Sequence, residues 1–245
     1  MTKLRAVDGA SLGTFAVGSI HTGVAYDGSS IWVTNWASDN VTKLNAADGA
    51  PLGTFAVGDA PVGVAFDGSN IWVANRGSHT VTKLRASDGA LLDTFAVGND
   101  PGEIAFDGSS IWVTHVTGST GVTKLRVSDG ASLGTFAVGP EPRGVVFDGS
   151  SIWVANRGAT TVTKLRASDG ALQGTFAVGT SPFGLAFDGS SIWAVSVIDQ
   201  TVTKLRASDG ALLGTFAAGG VSFHVAFDGS SIWVVNRDLN RVSKL

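Results

Sequence analysis

One tryptophan recurs through the chain at an almost constant interval, and this repeat limits the fold more than any other feature. The repeated residues are Trp32, Trp72, Trp112, Trp153, Trp193 and Trp233, with spacings of 40, 40, 41, 40 and 40 residues. The one extra residue lies in "VTGSTGVTKL" at 116–125, which corresponds to "RGSHTVTKL" one unit earlier. A period of this size is typical of repeat architectures in which similar units pack side by side.

Each repeat unit is rich in Val, Ile, Thr, Phe and Trp and carries two Asp-Gly turns, which excludes helical repeats. Residues 61–98, "PVGVAFDGSNIWVANRGSHTVTKLRASDGALLDTFAVG", divide into four short apolar runs. Asp-Gly between apolar runs is a strong hairpin signal, because Gly tolerates positive φ and Asp bonds its own turn backbone. The sequence therefore predicts an all-β fold, a six-bladed β-propeller with four antiparallel strands per blade, as a single domain over 1–245.

The recurring Trp is interpreted as packing between blades, since a residue placed identically in every unit is typical of a core. The two ends of the chain are complementary, which favours a closed ring over a solenoid, whose exposed sheet edges would need protection. We expect residues 219–237 to supply the inner strands of the closing blade and residues 10–18 its outer strand. Its middle strand comes from residues 2–6 or from residues 242–245, and the sequence does not choose between them.

The composition excludes several kinds of site and partner. The chain has no Cys, which excludes disulfides, thiolate metal sites and a cysteine nucleophile. The net charge is −3 and there is no basic run, so no nucleic-acid partner is predicted. No apolar stretch reaches the length of a membrane span, and the N-terminus has no apolar signal-peptide core. We expect a soluble monomer, and the compartment is not determined.

The segment "IWVANRGSHTVTKLRASDGALLDTFAVGNDPGEIAFDGSSIWVTH" resembles the YVTN-type β-propeller repeat, a relative of the NHL repeat and of the blades of virginiamycin B lyase. The resemblance covers essentially the whole chain, whereas the WD40 and Kelch signatures are absent. It implies a propeller fold. For function it implies a range that includes extracytoplasmic binding propellers, surface-layer proteins, lyases and calcium-dependent lactonases.

Variation among the six units is concentrated at one end of each predicted blade. The Asp-Gly-Ser turns and the Asp-Gly-Ala turns hardly change, and the face they form offers no distinctive pocket. The links between blades and the loops between second and third strands differ from unit to unit. We call the end formed by these links and loops the blade-link face. Loops on a rigid scaffold often carry function, so any ligand is predicted here, at the channel mouth.

Seven residues depart from the repeat at this face and are the predicted ligand-binding set: His21, Glu103, His115, Arg143, Phe183, Phe223 and His224. In a closed six-blade ring, unit three faces unit six and unit one faces unit four. Glu103 and His115 would then lie across the channel mouth from His224. By the same geometry, His21 would lie across from Arg143. Polar groups with aromatic walls are the usual composition of a small-molecule site.

Each of these residues also has an interpretation without a ligand. The histidines can be solvated loop residues, Arg143 can pair with Glu141, and the two Phe side chains can cover the channel rim. The recurring Asn at the end of the second strand is interpreted as bonding its own turn rather than calcium, which needs six to eight oxygens. We predict no catalytic residue, no metal site and no cofactor.

Three classes of function compete. A non-enzymatic propeller that binds a small molecule, glycan or peptide is the favoured class. The second is a structural or recently duplicated array with no selected ligand, natural or engineered, which the near-identity of the units supports. The third is a lyase or calcium-dependent lactonase. The lyase blades carry a Glu after Trp-Phe-Thr, and this chain has Asn, His or Ser there, which argues against that activity.

Overall fold

The computed structural model describes residues 1–118 and 120–245, and Ser119, which belongs to the segment "HVTGST" predicted as a loop, lies outside the described residues. Twenty-five strands and no helix are found among the described residues. The strands form six blades, numbered one to six along the chain, in which each strand is antiparallel to its neighbours. This confirms the predicted all-β, six-bladed β-propeller.

The strands occupy four roles within a blade. First strands are β3 (His21–Tyr26), β7 (Pro61–Phe66), β11 (Pro101–Phe106), β15 (Pro142–Phe147), β19 (Pro182–Phe187) and β23 (Ser222–Phe227). Second strands are β4 (Ser30–Asn35), β8 (Asn70–Asn75), β12 (Ser110–His115), β16 (Ser151–Asn156), β20 (Ser191–Ser196) and β24 (Ile232–Asn236). Third strands are β1 (Thr2–Leu4), β5 (Asn40–Asn45), β9 (Thr80–Arg85), β13 (Gly121–Arg126), β17 (Thr161–Arg166), β21 (Thr201–Arg206) and β25 (Arg241–Lys244). Fourth strands are β2 (Ser11–Thr14), β6 (Pro51–Ala56), β10 (Leu91–Ala96), β14 (Ser132–Ala137), β18 (Leu172–Ala177) and β22 (Leu212–Ala217).

Blades one to five have four strands each, and the two ends of the chain differ from them. The sixth blade is a three-stranded sheet, β23-β24-β25, and β1 pairs with β2 in a two-stranded sheet. The middle strand of blade six is therefore Arg241–Lys244, which resolves the choice that the sequence left open. The four-stranded closing blade expected from residues 219–237 and 10–18 differs from this pairing. Each terminal third strand pairs with its neighbour in sequence, because closing a short loop costs little entropy.

The cores lie between consecutive blades. In one of them, Trp32 and Val41 of blade one pack with Val64, Ile71 and Leu84 of blade two. The same arrangement recurs where Trp153 of blade four packs with Ile192 and Leu205 of blade five. Four of the six repeated Trp side chains are fully buried, and Trp193 is 8% exposed. The predicted role of the Trp in packing between blades is confirmed.

By its internal contacts the chain divides into two compact units, Met1–Ile104 and Ala105–Leu245. The boundary falls within β11. A single domain over 1–245 stays a prediction.

Candidate functional site

The links and the second-to-third-strand loops lie at the same end of each blade. In blade two the amide of Arg76 donates to the carbonyl of Ala60 at 3.0 Å, and in blade four Arg157 donates to Glu141 at 3.1 Å. Several link residues have positive φ, including Ala60 at 51° and Glu141 at 49°. A non-glycine residue at such a φ is uncommon, so the link has a defined conformation rather than that of a generic loop.

Arg143, Phe183 and Phe223 form a contact chain across blades four, five and six. Each is the second residue of its blade's first strand. The guanidinium carbon of Arg143 is 5.4 Å from the centroid of the Phe183 ring. Phe183 and Phe223 meet edge to face, with centroids 5.1 Å apart and an interplanar angle of 90°. This arrangement suits the quadrupoles of the two rings, whose positive edge faces a negative face.

Two further side chains extend this chain of contacts. The imidazole of His224 is exposed and lies 5.7 Å from the Phe183 ring at 83°. The guanidinium carbon of Arg237 is 5.7 Å from the Phe223 ring. We call Arg143, Phe183, Phe223, His224 and Arg237 the aromatic cluster. It presents a paired phenyl surface flanked by two permanent positive charges.

Arg237 was not among the sequence-predicted residues. An Arg follows the strand-ending Asn in units two, four and six, so Arg237 resembles an ordinary residue of the repeat. Only the position of Phe223 beside it distinguishes this Arg from the other two. The expected partner of Arg143, Glu141, forms its ion pair with Arg157 at 2.8 Å, with both side chains largely exposed.

His115 occupies the place of the recurring Asn and is buried inside blade three. It is 2% exposed, and its Nε2 lies 2.7 Å from Thr123 Oγ1. The Asn residues at this place in other blades make similar hydrogen bonds. Asn156 Nδ2 donates to Thr161 and Thr163 at 3.0 and 2.9 Å. These Asn side chains are therefore bonded inside the blade, but through their Nδ2 atoms to Thr side chains of the third strand rather than to the turn backbone that the sequence analysis expected. The structure does not bring His115 to the surface with the aromatic cluster.

The remaining two predicted residues lie in the unit Met1–Ile104. His21 begins β3 and is exposed, opposite Asn35 in the strand register. Glu103 is partly buried in β11 and stands where blades one, two, four and five have Gly. Their predicted positions across the channel from Arg143 and His224 stay predictions.

The Gly that Glu103 replaces permits close approach of neighbouring first strands. A Cβ on Gly63 would lie 2.5 Å from the carbonyl oxygen of Gly102, and a Cβ on Gly184 would lie 2.5 Å from that of Phe223. Distances this short exclude a side chain unless the backbone moves. The Gly residues thus hold Phe183 and Phe223 in contact by bringing their strands together.

The opposite end of each blade carries a repeated polar arrangement that the sequence did not predict. The indole nitrogen of Trp153 donates to Asp148 Oδ2 at 2.7 Å, and the amide of Ser151 donates to Asp148 Oδ1 at 2.6 Å. Lys164 Nζ lies 5.1 Å from the Trp153 ring and donates to the carbonyl of Ala207 in blade five at 2.7 Å. These contacts within and between blades account for the presence of the same Asp, Trp and Lys in every unit.

These hydrogen bonds also lower the pKa of the Asp carboxyls in the turns. Burial alone would raise the pKa of Asp188, but donors from Trp193, Ser190 and Ser191 outweigh it and lower the pKa to about 2. The pKa of Asp67 is lowered for the same reason, against the effect of burial, by Trp72, Asn70 and Ser69. These carboxylates are ionised, bonded components of the turns rather than general acids.

Open clefts are found on the Asp-Gly face, where the sequence predicted no distinctive pocket. One of about 600 Å³ lies between blades four and five and includes Ser150, Lys164 and Arg206 in its lining. A similar cleft of about 490 Å³ includes the corresponding Ser29, Lys43 and Arg85. Because the clefts repeat with the blades, they do not single out one place for a ligand.

Within the part of the chain that the structure describes, no group of three or more His, Cys, Asp or Glu side chains is placed to hold a metal ion. Among the same residues, no helix has the length and apolar character needed to cross a membrane.

No protein-family model matches the chain, and no curated protein matches it by sequence. Solved structures do match its fold. The hydrazine synthase of Kuenenia stuttgartiensis aligns over 100% of this chain and 88% of its own, with a TM-score of 0.88 and 19% identity. A streptogramin B lyase aligns over 93% of this chain and 83% of its own, with a TM-score of 0.76 and 17% identity.

A functionally unknown protein from Desulfotomaculum acetoxidans DSM 771 aligns over 89% of this chain and 78% of its own, with a TM-score of 0.77 and 15% identity. At such low identities these likenesses show the fold alone. The chain is similar in fold to propellers of differing function, and its distant resemblance to virginiamycin B lyase-like propellers is confirmed at that level.

Proposed function

We propose that this chain is a non-enzymatic propeller module that binds its ligand on the blade-link face, at the aromatic cluster. The observation that carries the proposal is the contact of Arg143, Phe183 and Phe223, which come from the same place in three consecutive blades. The other units have Thr, Val or Gly at this place. A charged and aromatic surface has thus replaced a small-residue or aliphatic one in one half of the chain.

The chemistry of the cluster favours a small molecule that joins an anionic group to an apolar or aromatic body. Arg143 and Arg237 supply positive charge and planar guanidinium donors that suit a carboxylate. Phe183 and Phe223 supply the apolar surface between them, and the exposed imidazole of His224 can donate or accept a hydrogen bond. Glycans and peptides that carry a carboxylate beside an apolar group have the same chemistry.

The structural array without a ligand is the second candidate. It is favoured by the finding that the invariant Asp, Trp and Lys side chains and the recurring Asn side chains bond within or between blades. Repetition of these residues therefore requires no ligand. On this alternative, Phe183 and Phe223 cover the rim and nothing binds there.

Catalysis is not proposed. The Glu that the lyase blades carry after Trp-Phe-Thr would stand at the end of the second strand. Asn35, His115 and Ser196 occupy this place and are each at most 2% exposed. A side chain buried to this degree does not reach a substrate at the surface without local opening of the blade.

A thermal-shift screen of aromatic and aliphatic carboxylates, acidic sugars and short acidic peptides tests the proposal. A specific ligand raises the melting temperature with its concentration by mass action. We expect the shift to disappear in Arg143→Gln and to persist in Arg85→Gln, whose exposed side chain pairs with Asp88 at the other end of blade two. A ligand that binds both variants like the wild type, or a screen with no hit, would favour the structural array.

A further inference from the structure

A cavity of about 300 Å³ opens at the blade-link end of blade five, on its outer strands β21 and β22. Its lining includes Gly179 of the link, Asp199 of the loop, and Thr201 and Thr203 of β21. All of these residues belong to the unit Ala105–Leu245. The aromatic cluster lies elsewhere, with its two Phe rings on the first strands β19 and β23.

In other blades the carboxamide of the recurring Asn fills the corresponding place. Asn156 Nδ2 donates to Thr161 Oγ1 and Thr163 Oγ1 at 3.0 and 2.9 Å. Asn75 Nδ2 makes the same pair of bonds in blade two, at 3.0 and 2.8 Å. The glycine of the link covers this carboxamide, since a Cβ on Gly139 would lie 2.7 Å from Asn156 Nδ2. The usual occupant of the place is therefore an N–H donor.

Blade five lacks that donor, because Ser196 takes the position of the Asn. In the strand register Ser196 lies opposite Thr201, and Thr203 is two residues further along. The three hydroxyl-bearing side chains are therefore on one face of the sheet. The glycine of the link keeps its position, since a Cβ on Gly179 would lie 2.6 Å from Ser196 Oγ. Gly179, Thr201 and Thr203 thus surround the place that a carboxamide nitrogen would occupy.

The hydroxyl of Ser196 has no partner within the protein. The side chain is fully buried, and Ser196 Oγ makes no hydrogen bond among the residues that the structure describes. Burial of a polar group without a hydrogen bond is unfavourable, and such groups are rare in folded proteins. A ligand that brings an N–H group beside Ser196 would satisfy this hydroxyl together with those of Thr201 and Thr203.

A second change in the same blade adds a negative charge to the cavity. Asp199 stands where blades one and two have Ser38 and Ser78. Ser78 Oγ accepts from the amide of Asp59 at 3.1 Å, and Asp199 Oδ2 accepts from the corresponding amide of Thr180 at 2.6 Å. The carboxylate therefore replaces the hydroxyl as the acceptor of the link amide. Its second oxygen, Oδ1, is left for a further donor.

We infer that this cavity binds a primary ammonium group in the place of the absent carboxamide. An ammonium group has three N–H donors and no acceptor, which suits the hydroxyl oxygens and the carboxylate of this cavity. The cavity runs from the exposed Asp199 to Thr203, which is only 2% exposed, so a ligand inside it reaches groups that are buried from bulk solvent. Val178 and Leu212 also line it and give a short alkyl chain an apolar wall.

The charge of Asp199 favours an ammonium ion over a neutral amide. A neutral amide would supply the same N–H donors to the two Thr hydroxyls, but hydrogen bonds between a cation and a carboxylate are stronger than neutral ones. Ser196 Oγ and Asp199 Oδ2 also lie close together, since a Cβ on Gly179 would be 2.6 and 2.7 Å from them. The loss of the amide and the gain of the carboxylate thus occur at one place and point to one ligand class, the small alkylammonium ions.

An NMR titration of isotope-labelled protein with propylammonium chloride tests the inference, with equal concentrations of sodium chloride as the reference. We expect saturable shifts of the amide signals of Gly179, Ser196 and Thr203. Tetramethylammonium chloride, whose cation has no N–H donor, should give no saturable shift. Ser196→Asn should abolish binding, because its carboxamide takes the place of the ligand. This variant should fold, since Asn occupies the position in blades one, two, four and six.

Asp199→Ser separates the charge of the cavity from its shape. Ser accepts the link amide in blade two, so the variant keeps that hydrogen bond. We expect it to bind propylammonium about fivefold more weakly, a modest effect because Asp199 is exposed. Propionamide should bind the wild type more weakly than propylammonium does. Equal binding of the two compounds would overturn the assignment to an ammonium ion.

Arg143→Gln keeps this inference apart from the proposed function, because Arg143 belongs to the aromatic cluster. The variant should bind propylammonium with the Kd of the wild type, whatever the ligand screen finds at the cluster. A wild type without saturable shifts, or a Ser196→Asn protein that binds like the wild type, would overturn the inference. If Ser196→Asn does not fold, Thr203→Val replaces it, since Val keeps the shape of Thr without the hydroxyl and should weaken binding.

Discussion

Phe183 and Phe223 meet edge to face at 5.1 Å because Gly184 brings their two strands together. The ring contact is therefore a product of backbone spacing as much as of side-chain choice. It joins the first strands of blades five and six at the blade-link face. The same spacing holds Arg143 against Phe183.

Gly184→Ala should destabilise the protein and disturb this contact. The new Cβ would meet the carbonyl oxygen of Phe223 at 2.5 Å, and a backbone atom cannot turn away as a side chain can. We expect a loss of about 1–3 kcal/mol, which is typical of overpacking. Urea denaturation measures it. Gly214→Ala is the control, because its Cβ would meet the Phe216 ring at 3.1 Å, and that ring is 41% exposed and able to move. Equal losses in both variants would contradict the argument.

Ligand binding should depend on residues at the blade-link face and not on residues at the Asp-Gly face. Arg237→Gln and His224→Ala should each weaken binding of the ligand identified in the screen, by about 1.5–3 kcal/mol if each side chain hydrogen-bonds a charged group of the ligand. That corresponds to roughly ten- to a hundredfold in Kd, measured by calorimetric titration.

Asp67→Ala is the matched control for that titration. It should leave the Kd unchanged and lower the free energy of unfolding, because Asp67 accepts from the buried Trp72 indole at 2.7 Å. A Kd that ignores both rim variants, or one that responds to Asp67→Ala in a fully folded protein, would contradict a site on the blade-link face.

The strand order, the turns and the buried Trp could be predicted from the sequence, because period and Asp-Gly turns are local signals. The register of Trp153 opposite Lys164 follows from the same hairpin. The bond from Lys164 to Ala207 could not be predicted, because it depends on how far one blade lies from the next. The repeat also could not decide between β1 and β25, which are copies of one strand.

The candidate site was predicted in part. Arg143, Phe183 and Phe223 occupy one place in the repeat, so their adjacency follows once the blades are consecutive. His115 also departs from the repeat, but its side chain hydrogen-bonds Thr123 on the neighbouring strand inside the blade. Buried and exposed positions both vary among the repeat units. Only the burial of the side chain in the structure shows whether a change lies inside the blade or at the surface.

Stability should fall as the pH drops from about 4 to about 2. The pKa of Asp188 is lowered from 3.8 to about 2 when the chain folds, because donors from Trp193 and the turn outweigh the effect of burial. A lowered pKa contributes stability that is present above the unfolded value and is lost as the pH falls through the folded value. Urea midpoints at pH 4, 3 and 2 measure this loss. Asp188→Asn should flatten the dependence, and an unchanged slope in that variant would contradict the role given to Asp188.

Lys164→Met tests whether the buried lysines couple neighbouring blades. Lys164 is 6% exposed, and its Nζ donates to the carbonyls of Ala207 and Ser208 at 2.7 and 3.1 Å. Met keeps the apolar stem over Trp153 but leaves those carbonyls without this donor, and hydrogen bonds from charged groups contribute about 1.5–3 kcal/mol. We expect a loss of that size in the free energy of unfolding, measured by urea denaturation. Lys244→Met, at the same place in β25, should cost much less, because the Lys244 side chain is exposed. If Lys164→Met were as stable as the wild type, the lysine would only fill space between the blades.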